Sequence, residues 1–206
     1  MHRHGRLTLL LLCLAAAGTA CGRADRAAEG AGDSTPAASG DLCTGGAPAT
    51  VSAGGVGPVR IGARIADIAT RCTVRDTTLT LGEESQERAR LVALDGMTVV
   101  ALLAPDSTVT RVIVADGAAR TERGIGVGST LGELRRSYGR LCAAAEERRV
   151  TVSVAGMSGV SFATSIDPTR LPGRGRQIDR DPTGLPDSAR VTRLWVYDGV
   201  SLCGGS

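Results

Sequence analysis

The side chains with the widest chemical scope in this chain are its cysteines, Cys13, Cys21, Cys43, Cys72, Cys142 and Cys203. A thiol can ligate zinc, attack a carbonyl carbon or pair as a disulfide, and the first two uses need particular neighbours. Zinc favours close C-x-x-C spacing, and none occurs. Nucleophilic attack needs a base. Both histidines, His2 and His4, stand at the extreme N-terminus, and the sequence contains no Lys and no Asn. A chain that loses those histidines can build no Ser-His-Asp or Cys-His centre, no Ser-Lys pair, no Schiff base and no His-ligated metal site. Ser158 and Ser161 match no nucleophile elbow. Asp179-Arg180-Asp181 with Gly184 lacks the remaining calcium ligands and the closing Glu. Gly124-Ile125-Gly126-Val127-Gly128 has the wrong spacing for a phosphate cradle and reads as a turn entering a strand. No catalytic residue, cofactor or metal is expected. A hydrolase working through carboxylates ranks last, because no pair is spaced on an identifiable element.

The start of the chain decides how many cysteines remain. MHRHGRLTLLLLCLAAAGTAC has a basic start, an apolar run from Leu7 to Ala17 and small residues before Cys21, the order of an export signal. Gly18-Thr19-Ala20-Cys21 is similar to the lipobox of bacterial lipoproteins at Thr19, Ala20 and Cys21, with Gly18 where Leu is usual. Residues 1–20 are therefore read as a signal peptide and Cys21 as the lipidation site, with ordinary release of a periplasmic or secreted product as the alternative. Gly22 is not the Asp that retains such lipoproteins at the inner membrane, so an outer-membrane or cell-surface address is expected. Residues 21–40 are rich in Ala, Gly, Ser and charge without apolar periodicity, and are read as a flexible tether.

Cys43, Cys72, Cys142 and Cys203 then remain in an oxidising compartment and read as two disulfides, one of three pairings. Local pairing, Cys43 with Cys72 and Cys142 with Cys203, needs no bridge between the halves of the chain. The formal net charge of +3 includes Arg3 and Arg6 of the signal, so no basic reservoir for nucleic acid exists.

The globular part repeats itself. Val109 to Gly117 reads VTRVIVADG and Val191 to Gly199 reads VTRLWVYDG; Ile61 to Ile68 matches Val127 to Leu134, and Leu91 to Val100 matches Thr151 to Val160. Each half begins with a short strand, Val59 to Gly62 or Ile125 to Gly128, that leads into a helix. Thr130 and Glu133 fit a capping box, and Leu131, Leu134, Tyr138, Leu141 and Cys142 recur at helical spacing; Ile65, Ile68, Ala69 and Cys72 do so in the first half. Hairpins turn at Asp95-Gly96 and Ala155-Gly156. The expected fold is α+β, two tandem repeats of strand, helix and antiparallel meander with the helices on one sheet face. Residues 41–120 form the first repeat and 121–206 the second, with an inserted loop at 165–189.

The (I/V)-G-x-(S/T)-(L/I)-x-(D/E)-(I/L) motif leading into a helix, followed by a meander in an exported chain, resembles the modules of BamE/SmpA-like outer-membrane lipoproteins. The tandem form looks like the beta-lactamase inhibitor proteins, over roughly Gly57 to Gly199. What that resemblance implies is a sheet face lined with aromatics that grips another protein.

Alternation along a strand puts Thr192, Leu194 and Val196 on one side and Arg193, Trp195 and Tyr197 on the other; in the first copy Thr110, Val112 and Val114 oppose Arg111, Ile113 and Ala115. The first set suits packing under helices. The second turns from aliphatic to aromatic and makes Arg111, Arg193, Trp195 and Tyr197 candidate partner-binding residues. The competing reading is that the rings fill a core between the halves, with Arg193 covering Trp195. The 165–189 loop reads either as a partner-binding lid carrying Arg170, Arg174, Arg176 and Arg180 or as a plainly disordered segment. The expected function is that of an exported, lipid-anchored binding or scaffold protein with an unidentified protein partner; inhibition of a secreted hydrolase is the alternative.

Overall fold

The computed structural model describes Cys43 and residues 49–81, 85–146, 149–170, 184–199 and 201–203. The signal peptide, the tether, Cys21 and the loop arginines Arg174, Arg176 and Arg180 lie outside the described residues.

Strands dominate, and this overturns the expected α+β repeat. The described chain holds β1 (Thr50–Ser52), β2 (Gly55–Val56), β3 (Val59–Arg60), α1 (Ile65–Ala69), β4 (Val74–Leu81), β5 (Ser85–Leu94), β6 (Met97–Leu103), β7 (Val109–Val114) and β8 (Arg120–Thr121). It continues with α2 (Leu131–Tyr138), β9 (Leu141–Glu146), β10 (Arg149–Val154), β11 (Val160–Thr164) and β12 (Val191–Tyr197). Instead of strand–helix modules, two sheets form: a small one ordered β3-β2-β1-β8, and an antiparallel eight-stranded one ordered β4-β5-β6-β7-β12-β11-β10-β9. The helices are brief for physical reasons. α1 has no side-chain cap at Arg64 and soon gives way to β4, which opens with the β-branched Val74 and carries Thr77 and Thr78. α2 has the full Thr130–Glu133 capping box but stops at Gly139, whose φ of 75° breaks the helical path. The helical stripe expected to continue through Leu141 and Cys142 therefore ends at Tyr138. Leu141, Cys142 and Ala143 pair instead with Val154, Ser153 and Val152, so strand pairing overrides the helical preference of an Ala-rich segment. The segment Ile125 to Gly128, expected as a strand, is a turn with one bridge from Arg120 to Gly126.

The two copies of the repeated strand are β7 and β12, and they lie side by side at the centre of the large sheet. Their register pairs Val114 with Leu194, Ile113 with Trp195, Val112 with Val196 and Arg111 with Tyr197. Because Ile113 and Trp195 are equivalent positions of the repeat, the sheet has a local two-fold axis through that pair. The equivalence reaches fine detail. In both copies the register slips beside the repeated Thr, at Leu102/Leu103 against β7 and at Ala163/Thr164 against β12. Such a bulge adds a residue and reverses the alternation. Thr110 and Thr192 are consequently exposed, not under the helices as strict alternation implied, while Val109 and Val191 are buried in their place.

One face of the large sheet, here called inner, carries the core. Val99, Val112, Val196, Leu194 and Phe162 meet Ile65 and Ile68 of α1, Leu131 and Leu134 of α2, and Val51, Val56 and Val59 of the small sheet. Cys43–Cys72 closes on this core with Cα atoms 5.2 Å apart. Cys142–Cys203, with Cα atoms 5.1 Å apart, fixes the end of the chain to β9. The two bridges, as the local-pairing argument expects, suit an oxidising, exported compartment. Among the described residues no helix is long and apolar enough to cross a membrane.

Candidate functional site

The opposite, outer face has a different composition on each side of the two-fold axis. On the β4–β7 side, Ala89, Leu102 and Ile113 form a small buried cluster edged by Leu79 and Val100. On the β9–β12 side, sheet register carries the row on from Trp195 to Ser161, Ser153 and Cys142. Ser161 and Thr151 are only 5% exposed and Ser153 is fully buried, so this side is lined by hydroxyls.

At the boundary sits Trp195, half-exposed and packed on the aliphatic cluster. The guanidinium of Arg111 lies 5.3 Å from its ring centre and that of Arg193 5.8 Å. These arginines are equivalent positions of the repeat, so the two-fold axis brings both to the same ring. The arrangement blends the two readings of the sequence. Trp195 caps a satellite cluster and also presents ring surface to solvent, while Leu194 and Val196 are buried beneath. Tyr197, opposite Arg111, is also half-exposed, and its backbone N–H donates to Gly159 O at 2.9 Å. Gly159 must be glycine here: its φ is 72°, and a Cβ would stand 2.6 Å from Tyr197 O.

Arg111, Thr151, Ser161, Trp195, Tyr197 and Leu202 enclose a cleft of about 210 Å³. Leu202 belongs to the tail held by Cys142–Cys203, which is further fixed by the Ser201 hydroxyl donating to Val154 O at 3.1 Å and the Cys203 N–H donating to Ser201 Oγ at 3.2 Å. Sγ of Cys203 lies 3.7 Å from Ser153 O. Among the described residues, Arg111, Arg193 and Arg149 have no carboxylate partner; the ion pairs found there are Arg90–Asp76 and Arg135–Asp187. Burial lowers the proton affinity of Arg193 below the usual guanidinium value, and repulsion from Arg149 adds to it. The hydroxyls of Thr151 and Ser153 are buried without a hydrogen-bond partner among the described residues. Alternation along Val150-Thr151-Val152-Ser153-Val154, valine inward and hydroxyl outward, was a legible signal for this surface. The sequence reading did not use it, and it also missed Arg149 and Leu202.

A larger depression of about 410 Å³ opens beside β10, with Glu122, Arg123, Tyr138 and Met157 in its walls. There Arg123 lies 4.9 Å over the Tyr138 ring and donates to Ser137 O, so its charge is already engaged locally. The two carboxyls held below their ordinary range, Asp106 and Glu133, owe it to hydrogen bonds from Thr108 and Thr130 respectively, a loop turn and a helix cap and not a reactive pair. Among the described residues no cluster of His, Cys, Asp or Glu is arranged to hold a metal.

No protein-family model and no curated protein matches the chain. Among solved structures it is similar to the crystal structure of the uncharacterized protein yfeY from Escherichia coli, with a TM-score of 0.49 and 19% identity over 72% of this chain and 99% of that one.

Proposed function

We propose that the chain is an exported, lipid-anchored, non-catalytic binding protein of the bacterial envelope that takes a protein partner on the outer face of its large sheet. The observation that carries the reading is Trp195, half-exposed between two guanidinium groups that no described carboxylate neutralises. A rigid ring with flanking arginines is the composition that dominates binding energy at protein interfaces. The surface needs no further element to be presented, since the core lies on the other face. Cys21 would carry the anchor and residues 21–40 would give it reach.

Cross-linking in the native envelope, followed by recovery of wild-type and Trp195→Ala protein, tests the face: the partner should be captured by the first and lost by the second. Cys21→Ser should release the protein from the membrane fraction and remove a diacylglycerol mass; unchanged association without that mass would refute the anchor. The resemblance to beta-lactamase inhibitor proteins makes one further outcome informative. Dose-dependent loss of a secreted hydrolase's activity on adding the purified domain would identify the partner as an enzyme and the role as inhibition.

A further inference from the structure

We propose that the cleft beside Trp195 is a recognition site for a carboxylate attached to a small flat apolar group. The inference rests on the outer face being the binding surface and names the chemistry that surface selects. Charge is the first reason. Arg111 lines the cleft, Arg193 flanks the same ring, and among the described residues none that lines the cleft is acidic. A planar guanidinium fork matches a carboxylate through paired N–H donors, and near a low-dielectric surface that contact is stronger than in water. Burial lowers the proton affinity of Arg193, and repulsion from Arg149 adds a smaller push in the same direction, as expected where no counter-anion stands beside it.

Hydroxyls are the second reason. Thr151 and Ser161 line the cleft while being 5% exposed, and Thr151 Oγ1 has no partner among the described residues. A buried polar atom without a partner is costly unless something else satisfies it, and a carboxylate oxygen accepts from a hydroxyl. The walls supply the third reason: Trp195, Tyr197 and Leu202 offer flat and aliphatic surface for an apolar body. The cleft's volume is about 210 Å³ and it is open to solvent on one side, so the apolar body is the part of the ligand that lies against these walls. The wall bearing Leu202 is fixed by Cys142–Cys203, so the cleft is built into the fold.

Trp195 is the sole tryptophan, so its fluorescence reports on the cleft directly. The titration uses benzoate, its uncharged analogue benzamide, inorganic phosphate, and an acetylated peptide ending in phenylalanine with a free or an amidated C-terminus. The proposal expects saturable change with benzoate or the free-acid peptide, at least tenfold weaker binding of benzamide and the amidated peptide, and no preference for phosphate. Binding of the free-acid peptide alone would make the source a partner's C-terminus; binding of benzoate would make it a free small acid. Arg111→Gln and, separately, Arg193→Gln should each weaken carboxylate binding tenfold or more while the melting temperature stays near wild type. Equal binding of benzamide, tighter binding of phosphate, absence of any binding, or full binding by well-folded arginine variants overturns the proposal. If carboxylates fail but Trp195→Ala still loses its cross-linked partner, only this inference falls; if the partner persists in Trp195→Ala, the binding-face reading falls by itself.

Discussion

β7 and β12 carry nearly the same sequence, lie against each other, and have opposite surroundings on the outer face. Next to Ile113 the register sets Val100 and then Leu91; next to Trp195 it sets Ser161 and then Ser153. The inner face shows no such divergence, since Val99 and Val160 occupy matching places beside Val114 and Val196. A shared core holds the inner positions to aliphatic residues of similar volume, because errors of a methylene there are felt directly. The outer face is free of that constraint. One half keeps a small aliphatic cluster, and the other exchanges it for hydroxyls, an aromatic pair and a tethered tail.

The largest expected effect tests whether the inner face is the shared core. Phe162 is fully buried there, and Phe162→Ala should cost about 3–5 kcal/mol of folding stability in denaturant titration. A cost no greater than that of an outer-face change would break the distinction between the faces.

The disulfides sharpen the comparison next. Removing either should cost about 2–5 kcal/mol, but the bridges serve different faces. Cys43–Cys72 borders the core, whereas Cys142–Cys203 fixes the wall of the cleft. Replacing Cys142 and Cys203 by Ser should therefore shift Trp195 emission in still-folded protein, and replacing Cys43 and Cys72 should not.

Several local features of the fold were legible in the sequence. The hairpin at Asp95-Gly96 and the capping box follow from short-range turn and cap signals, the duplicated VTR strands from direct repetition, and the cysteine pairing from each half keeping its own bridge. The fold class was not legible, because strand order is long-range. Nothing within VTRVIVADG says that its partner is the other copy and that both meanders fuse into one sheet. Matching Leu91–Val100 to Thr151–Val160 by their shared Gly-Met also set the copies out of step: the sheet pairs Val100 with Ile113 but Ser161 with Trp195, so the structural counterpart of Val100 is Ser161 and not Val160. That offset hid the hydroxyl row.

The smallest effects concern the helix that belongs to the second half. Thr130→Ala removes the cap of α2 and should cost about 1 kcal/mol, while Arg64→Ala, at the uncapped start of α1, should change little. The pH dependence has a definite sign. Asp106 and Glu133 are held below their ordinary carboxylate values, so their contribution is present above those values and is lost as pH falls through the lowered ones. Thermal melts should show stability declining below about pH 4, and Asp106→Asn with Glu133→Gln should flatten that decline.

Trp195→Ala tests the central claim most directly, measured by thermal melt and partner capture on the same preparation. A half-exposed ring on a binding face predicts a loss of capture of about 2 kcal/mol or more with a stability change well short of the 3–5 kcal/mol expected for a buried ring. A stability loss of that full size, with capture undiminished in the protein that remains folded, would contradict the account and make Trp195 a core residue.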